Sequence, residues 1–119
     1  MVSMTIEGRV ISKKNSRRNF GHVSLPSKAF EAFKEDALRQ IGKQVKGSTI
    51  TTPVRVTILA KLKGRLDSDV DNMASSLFDI LQDAEVIQND SLVKSLYVEK
   101  QGGFKDFSTF IQIEPYLSE

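Results

Sequence analysis

Cysteine is absent from this chain of 119 residues. Disulfide staples, thiolate zinc sites and thiol nucleophiles are therefore excluded. Histidine occurs once, at His22, which is too few for a His-rich metal site or a double-histidine acid–base mechanism. No apolar run approaches the roughly 18 residues that a membrane span needs. The start, Met1-Val-Ser-Met-Thr-Ile-Glu, carries no basic segment followed by an apolar one, as a secretory signal would. The expectation is a cytoplasmic protein. Internal repeats, low-complexity tracts and Pro/Ser-rich linkers are missing too, so no domain boundary is drawn, and the length suits one domain over 1–119. A hydrophobic fraction of 39% with 27% charged residues is that of an ordinary folded protein and argues against disorder.

The net charge is only +2, but it is unevenly spread. Arg39 to Leu66 holds seven Lys or Arg and no acid, whereas Asp67 to Ser91 holds seven Asp or Glu and no base. Lys13, Lys14, Arg17 and Arg18 form a second basic cluster. Charge blocks of this kind are either solvated faces or a phosphate-binding surface flanking a carboxylate site.

Periodicity predicts the elements. Met4, Ile6, Gly8 and Val10 alternate with polar residues and read as a strand. Ser12 to Asn19 reads as a polar loop or arm, and Phe20 to Leu25 as a short strand. Ser27 is a plausible N-cap for a helix carrying Phe30, Phe33, Ala37, Leu38 and Ile41, ended by Gly42 or Gly47. Val54, Val56, Ile58, Ala60 and Leu62 alternate with Arg55, Thr57, Lys61 and Lys63, a strand with a basic row on one face. Val70, Met73, Ala74, Leu77, Phe78, Leu81 and Ala84 follow a period near 3.6, an amphipathic helix. Val93 to Val98 reads as a strand, Gly102-Gly103 as a hairpin turn, and Phe107 to Ile113 as the last strand. The order β-(β)-α-β-α-β-β describes an α+β domain with a mixed sheet covered by two helices.

Asp69 and Asp71 fall where the basic strand hands over to the acidic helix. Two carboxylates this close repel unless a cation or proton lies between them. A hard divalent cation such as Mg²⁺ takes carboxylate oxygens and keeps waters that a substrate phosphate can displace. Asp90, in the polar turn after the helix, is a candidate third ligand. Each residue also has a plainer reading. Ser68-x-x-Asp71 is an acceptable capping box, Asp69 suits the helix dipole, and Asp90 is an ordinary turn aspartate. Asp67, Asp79 and Asp83 read as solvated.

The run Asp69-Val-Asp-Asn72, then Leu77-Phe-Asp-Ile-Leu81, then Ile87-Gln-Asn-Asp90 resembles the signature of the RusA family of Holliday (four-way) junction resolvases. The likeness is strongest from Gly64 to Val93, and looser at Ile11-Ser-Lys-Lys-Asn-Ser-Arg-Arg18. It implies a RusA-like fold and a homodimer that uses Mg²⁺ or Mn²⁺ to nick two opposed strands of a DNA junction. Asp69, Asp71 and Asp90 match the three metal-binding, catalytic carboxylates of that family. One position departs: many members carry a lysine four residues after the second aspartate, important for cleavage, where this chain has Ser75. Lys61, Lys63 or Arg65 would then have to supply the positive charge.

Lys13, Lys14, Arg17, Arg18, Lys61, Lys63 and Arg65 read as phosphate contacts on branched double-stranded DNA. Phe20 and Phe104 either pack or stack on unpaired bases, and Phe104, Phe107 and Phe110 are candidates for a dimer interface. Two other readings stand beside the nuclease: a catalytically impaired module that binds branched nucleic acid, and a small interaction protein whose acidic face is merely solvated.

Overall fold

The computed structural model describes residues 1–12, 17–20, 23–65 and 67–117, with only the backbone described at 17–20 and 23–26. The strongest alternation in the sequence forms the strand β4 (Val54–Lys63), whose Val54, Val56, Ile58, Ala60 and Leu62 are buried. It lies inside a four-stranded sheet with β1 (Val2–Glu7), β5 (Val93–Phe104) and β6 (Ser108–Pro115), in the order β1-β6-β4-β5. β6 runs antiparallel to β1 and β4, and β5 runs parallel to β4, so the sheet is mixed. A parallel pair needs a crossover, and the helix α2 (Val70–Asp83) supplies it.

The helix α1 (Lys28–Gln44) starts as expected at Ser27, whose Oγ accepts the Phe30 N–H at 3.0 Å. Its Phe30, Phe33, Ala37 and Ile41 join Met73, Leu77, Ile80 and Leu81 of α2 in one apolar cluster with the inward residues of the sheet. Leu38 is only partly buried. Both helices therefore cover the same sheet face. The opposite face shows Arg55, Leu59, Lys61 and Lys63 of β4, with Phe110 beside Leu59 and Tyr97 beside Thr57.

The two edges of the sheet differ. On β1, the side chains of Gln40 and Gln44 imitate a neighbouring strand. Gln44 accepts the Thr5 N–H at 2.8 Å and donates to the Thr5 carbonyl at 2.7 Å; Gln40 does the same for Glu7 at 2.8 and 3.0 Å. Backbone groups that would otherwise recruit another chain are thereby occupied.

Several expected boundaries move. β1 stops at Glu7 and not Val10, because Gly8 turns the chain at φ +107° and its N–H bonds the Phe107 carbonyl. In place of one strand over Phe20–Leu25 there is an antiparallel ribbon of β2 (Arg17–Phe20) and β3 (Val23–Pro26), paired from Arg17–Pro26 to Phe20–Val23. Arg17 and Arg18 are thus in a strand and not a loop; their polar run has no period to reveal it. α1 passes through Gly42 and ends at Gln44. Gly102 and Gly103 do not make a hairpin turn. They lie within β5, and β5 and β6 flank β4 without pairing. The reason is close approach: the Gly103 N–H bonds the Gly64 carbonyl at 2.8 Å, the Gly64 N–H bonds the Phe104 carbonyl at 2.9 Å, and a Cβ on Gly102 would stand 3.3 Å from Gly64 O. These contacts staple the β4–α2 turn to the end of β5. Phe107 precedes β6 and packs against the core.

Candidate active site

The staple at Gly64 leads into the segment that presents the carboxylates. Asp69 is the N-cap of α2, with extended backbone (φ −75°, ψ 124°), and its Oδ1 accepts the Asp71 N–H at 2.9 Å. The capping box expected from Ser68 and Asp71 is therefore not the one formed: the cap lies one residue later. The carboxylate of Asp71, in the first helical turn, receives no hydrogen bond from a described residue. Asp69 and Asp71 are both exposed. Being acids at the positive end of a helix, they are favoured there.

Two clefts meet at Asp69. One, of about 230 Å³, is lined by Arg9, Ser12, Ser68, Asp69 and Asn72, among others. The other is more open and is lined by Asp67, Ser68, Asp69, Val70 and Lys100. Arg9 and Lys100 hold the segment between them. Arg9 donates to the Asp67 carbonyl at 3.4 Å while its guanidinium lies 5.4 Å above the Phe107 ring. Lys100 Nζ donates to Asp67 Oδ1 at 2.6 Å and to the Ser68 carbonyl at 2.9 Å. That ammonium, with the Ser68 N–H on the same oxygen at 2.8 Å, holds the Asp67 carboxyl below the usual carboxylate range. Asp67 is thus solvated as expected, but paired.

Asp90 stands elsewhere. It opens a 3-10 turn (Asp90–Leu92) that Asn89 caps, and its N–H bonds the Gln82 side chain at 3.0 Å. Gln82 is in the last turn of α2, and Val70 and Gln82 lie about 18 Å apart along the helix axis. Within one chain, then, Asp90 is at the far end of α2 from Asp69 and Asp71. Among the described residues no cluster of three or more acids or histidines is close enough to share a metal ion.

The basic residues divide likewise. Lys13 and Lys14 lie outside the described residues, and the side chains of Arg17 and Arg18 are not described. Lys61 and Lys63 are at the same end of β4 as Asp69, but on the uncovered face, away from α2. Lys61 sits 5.3 Å over the Phe104 ring. Arg65 is exposed in the turn. Asp79 is half-buried on α2, with Oδ2 inaccessible to solvent, and not on a solvated face. Asp83 is exposed and pairs with Lys34.

Sequence reasoning missed Arg9 and Lys100. Lys100 is in register with buried Ala60, so it leaves the sheet on the helix-covered side; no local pattern announces that, because the partner strand is forty residues back. Arg9 looks like one more outward residue of a strand that in fact has already ended.

Fold and site together describe a small α+β domain with an exposed acidic pair at a helix N-terminus, flanked by Arg9 and Lys100. A family model described as Endodeoxyribonuclease RusA matches residues 7–114. The chain belongs to that family. It is also 33% identical over 82 residues to the crossover junction endodeoxyribonuclease RusA of Aquifex aeolicus (strain VF5), a match covering 69% of this chain and 65% of that relative's length. No helix among the described residues is long and apolar enough to cross a membrane.

Proposed function

We propose that this protein is a divalent-metal-dependent DNA endonuclease that resolves four-way junctions as a homodimer. The observation that carries the reading is the exposed Asp69–Asp71 pair at the N-terminus of α2 in a chain of this family. The donor set fits a hard cation. Asp71 has its carboxylate unspent, Asp69 uses one oxygen in the cap and keeps the other, and both face solvent. Asp69 and Asp71 would hold Mg²⁺ or Mn²⁺, which when bound polarises a phosphodiester and activates water. The chain's own residues prepare the ground. Capping locks Asp69 in one rotamer, and Arg9 and Lys100 fix the backbone that presents it. Lys61, Lys63 and Arg65, with Lys13, Lys14, Arg17 and Arg18, supply the phosphate contacts that give affinity without reading sequence.

Asp90 completes the site from a second copy. A two-fold axis perpendicular to α2 sets the partner helix antiparallel, so the partner's Asp90 end meets this chain's Asp69 end, and two equivalent sites result.

The test uses a labelled four-way junction. The wild-type protein is expected to make paired nicks in Mg²⁺ and none in EDTA. Asp71→Asn and Asp90→Asn should each be inactive, and mixing the two should recover nicking, since one site of the mixed dimer then holds neither lesion. No recovery would place all three ligands in one chain. Normal cutting by Asp90→Asn would remove it from the site. A second reading, a junction-binding module without activity, draws on the absence of Lys and Arg from α2; a gel shift with no nicks in either cation would select it.

A further inference from the structure

The acidic pair has a charge problem that a divalent cation does not fully solve. The segment Asp67–Asp71 carries three carboxylates, α2 contributes no Lys or Arg, and a scissile phosphate brings further negative charge that grows on its non-bridging oxygens during cleavage. Some cation of this chain has to face that point. Lys61 is occupied over the Phe104 ring on the far side of the sheet. Arg9 lines the other cleft at Asp69, but its guanidinium is stacked on Phe107 and donates to the Asp67 carbonyl. Lys100 differs from both. It shares an open cleft with Asp69 and Val70, the first residue of α2. Its strand is held in place by the Gly64–Phe104 and Gly103–Gly64 hydrogen bonds, so the ammonium is delivered to a fixed position. Nζ makes two hydrogen bonds, to Asp67 and to the Ser68 carbonyl, and an ammonium has three N–H groups.

We propose that Lys100 is a catalytic residue whose remaining N–H contacts a non-bridging oxygen of the scissile phosphate, with Asp67 as its anchor. The assignment rests on the nuclease reading above. It makes Asp67 and Lys100 a preset pair: the anchor aims the ammonium before DNA arrives, so little reorganisation accompanies the reaction.

The experiment compares Lys100→Met, Lys100→Arg and Asp67→Asn with the wild type, by single-turnover cleavage of a synthetic four-way junction in Mg²⁺ and by gel shift in EDTA. Lys100→Met should cleave about 100-fold more slowly, the loss typical of one transition-state donor. Its junction affinity should stay within about threefold, since one phosphate contact among many is removed. Lys100→Arg keeps the charge and should recover to within about tenfold of wild type. Asp67→Asn leaves an acceptor for Nζ and the full charge on Lys100, and should lose less than about fivefold. Wild-type cleavage by Lys100→Met would overturn the proposal, as would an Asp67→Asn loss equal to that of Lys100→Met, which would make Lys100 a mere anchor of the loop. If Lys100→Met fails to fold by circular dichroism, Lys100→Gln replaces it with the same criteria. A wild-type protein that binds but does not cut would instead overturn the nuclease reading, and this one with it.

Discussion

The two ends of α2 both carry aspartates, and the helix treats them oppositely. At the N-terminal end, Asp69 caps the helix and Asp71 sits in its first turn, so the carboxylates stabilise the element that holds them. At the C-terminal end the last turn has no basic residue, Asp83 leans on Lys34 for its partner, and Asp90 stands next to Gln82. An acid in that last turn, as Asp83 is, works against the helix dipole. The lesson is that Asp69 and Asp71 serve the helix whether or not they hold a cation, whereas Asp90 lies outside α2 in a turn of its own. The helix between them is also a spacer: it holds the ends too far apart for one chain to close a three-carboxylate site.

The largest effect that breaks this comparison is loss of the metal ion proposed for the N-terminal end. Asp71→Asn should lower junction cleavage at least about 100-fold, in keeping with the several kcal/mol a bound cation contributes, while gel shift in EDTA is unchanged or tighter. Asp69→Asn should match it with the fold intact, because asparagine caps as well as aspartate. Asp69→Ala should lose the same activity and also about 1 kcal/mol of stability in urea unfolding. Equal stability in the two Asp69 variants would mean that the cap contributes nothing.

Next comes the spacer itself. Leu77 is fully buried on the inward face of α2, and Leu77→Ala should cost about 2–5 kcal/mol in urea unfolding.

Ser75→Lys sharpens the comparison at the N-terminal end, since Ser75 is exposed and shares a face with Asp71. It should raise cleavage in the Lys100→Met background more than in the wild type, where the charge is already supplied. The smallest effect is expected at the C-terminal end. Asp83→Asn should leave cleavage unchanged and cost under about 1 kcal/mol, as exposed pairs do. Lys34 is held above its ordinary value of 10.5, chiefly by the Asp83 hydrogen bond. The stability from that pair is therefore present at neutral pH and is lost as pH rises through the raised value, so wild type and variant should converge in strongly alkaline urea melts.

What could be read from residue order alone is whatever depends on neighbours. The period-two burial of Val54 to Leu62, the cap at Ser27 and the inward stripe of α2 all concern side chains a few positions apart, and the structure keeps them. The cation proposed for the site, Lys100, could not be read this way. Lys61, Lys63 and Arg65 all precede Asp69 in the chain, but β4 turns the two lysines to the face away from α2. Lys100 looked like any polar strand residue until parallel pairing set it opposite Ala60 and the Gly64 staple fixed its height. Gly102-Gly103 read as a turn for the same reason: a glycine pair signals freedom of the backbone, but only the approach of a distant strand says what the freedom is for. Asp90 shows the limit most plainly. Its type and spacing are visible in the chain, but its distance from Asp69 is set by the length and rigidity of α2, and that is a property of the packed helix rather than of the order of its residues.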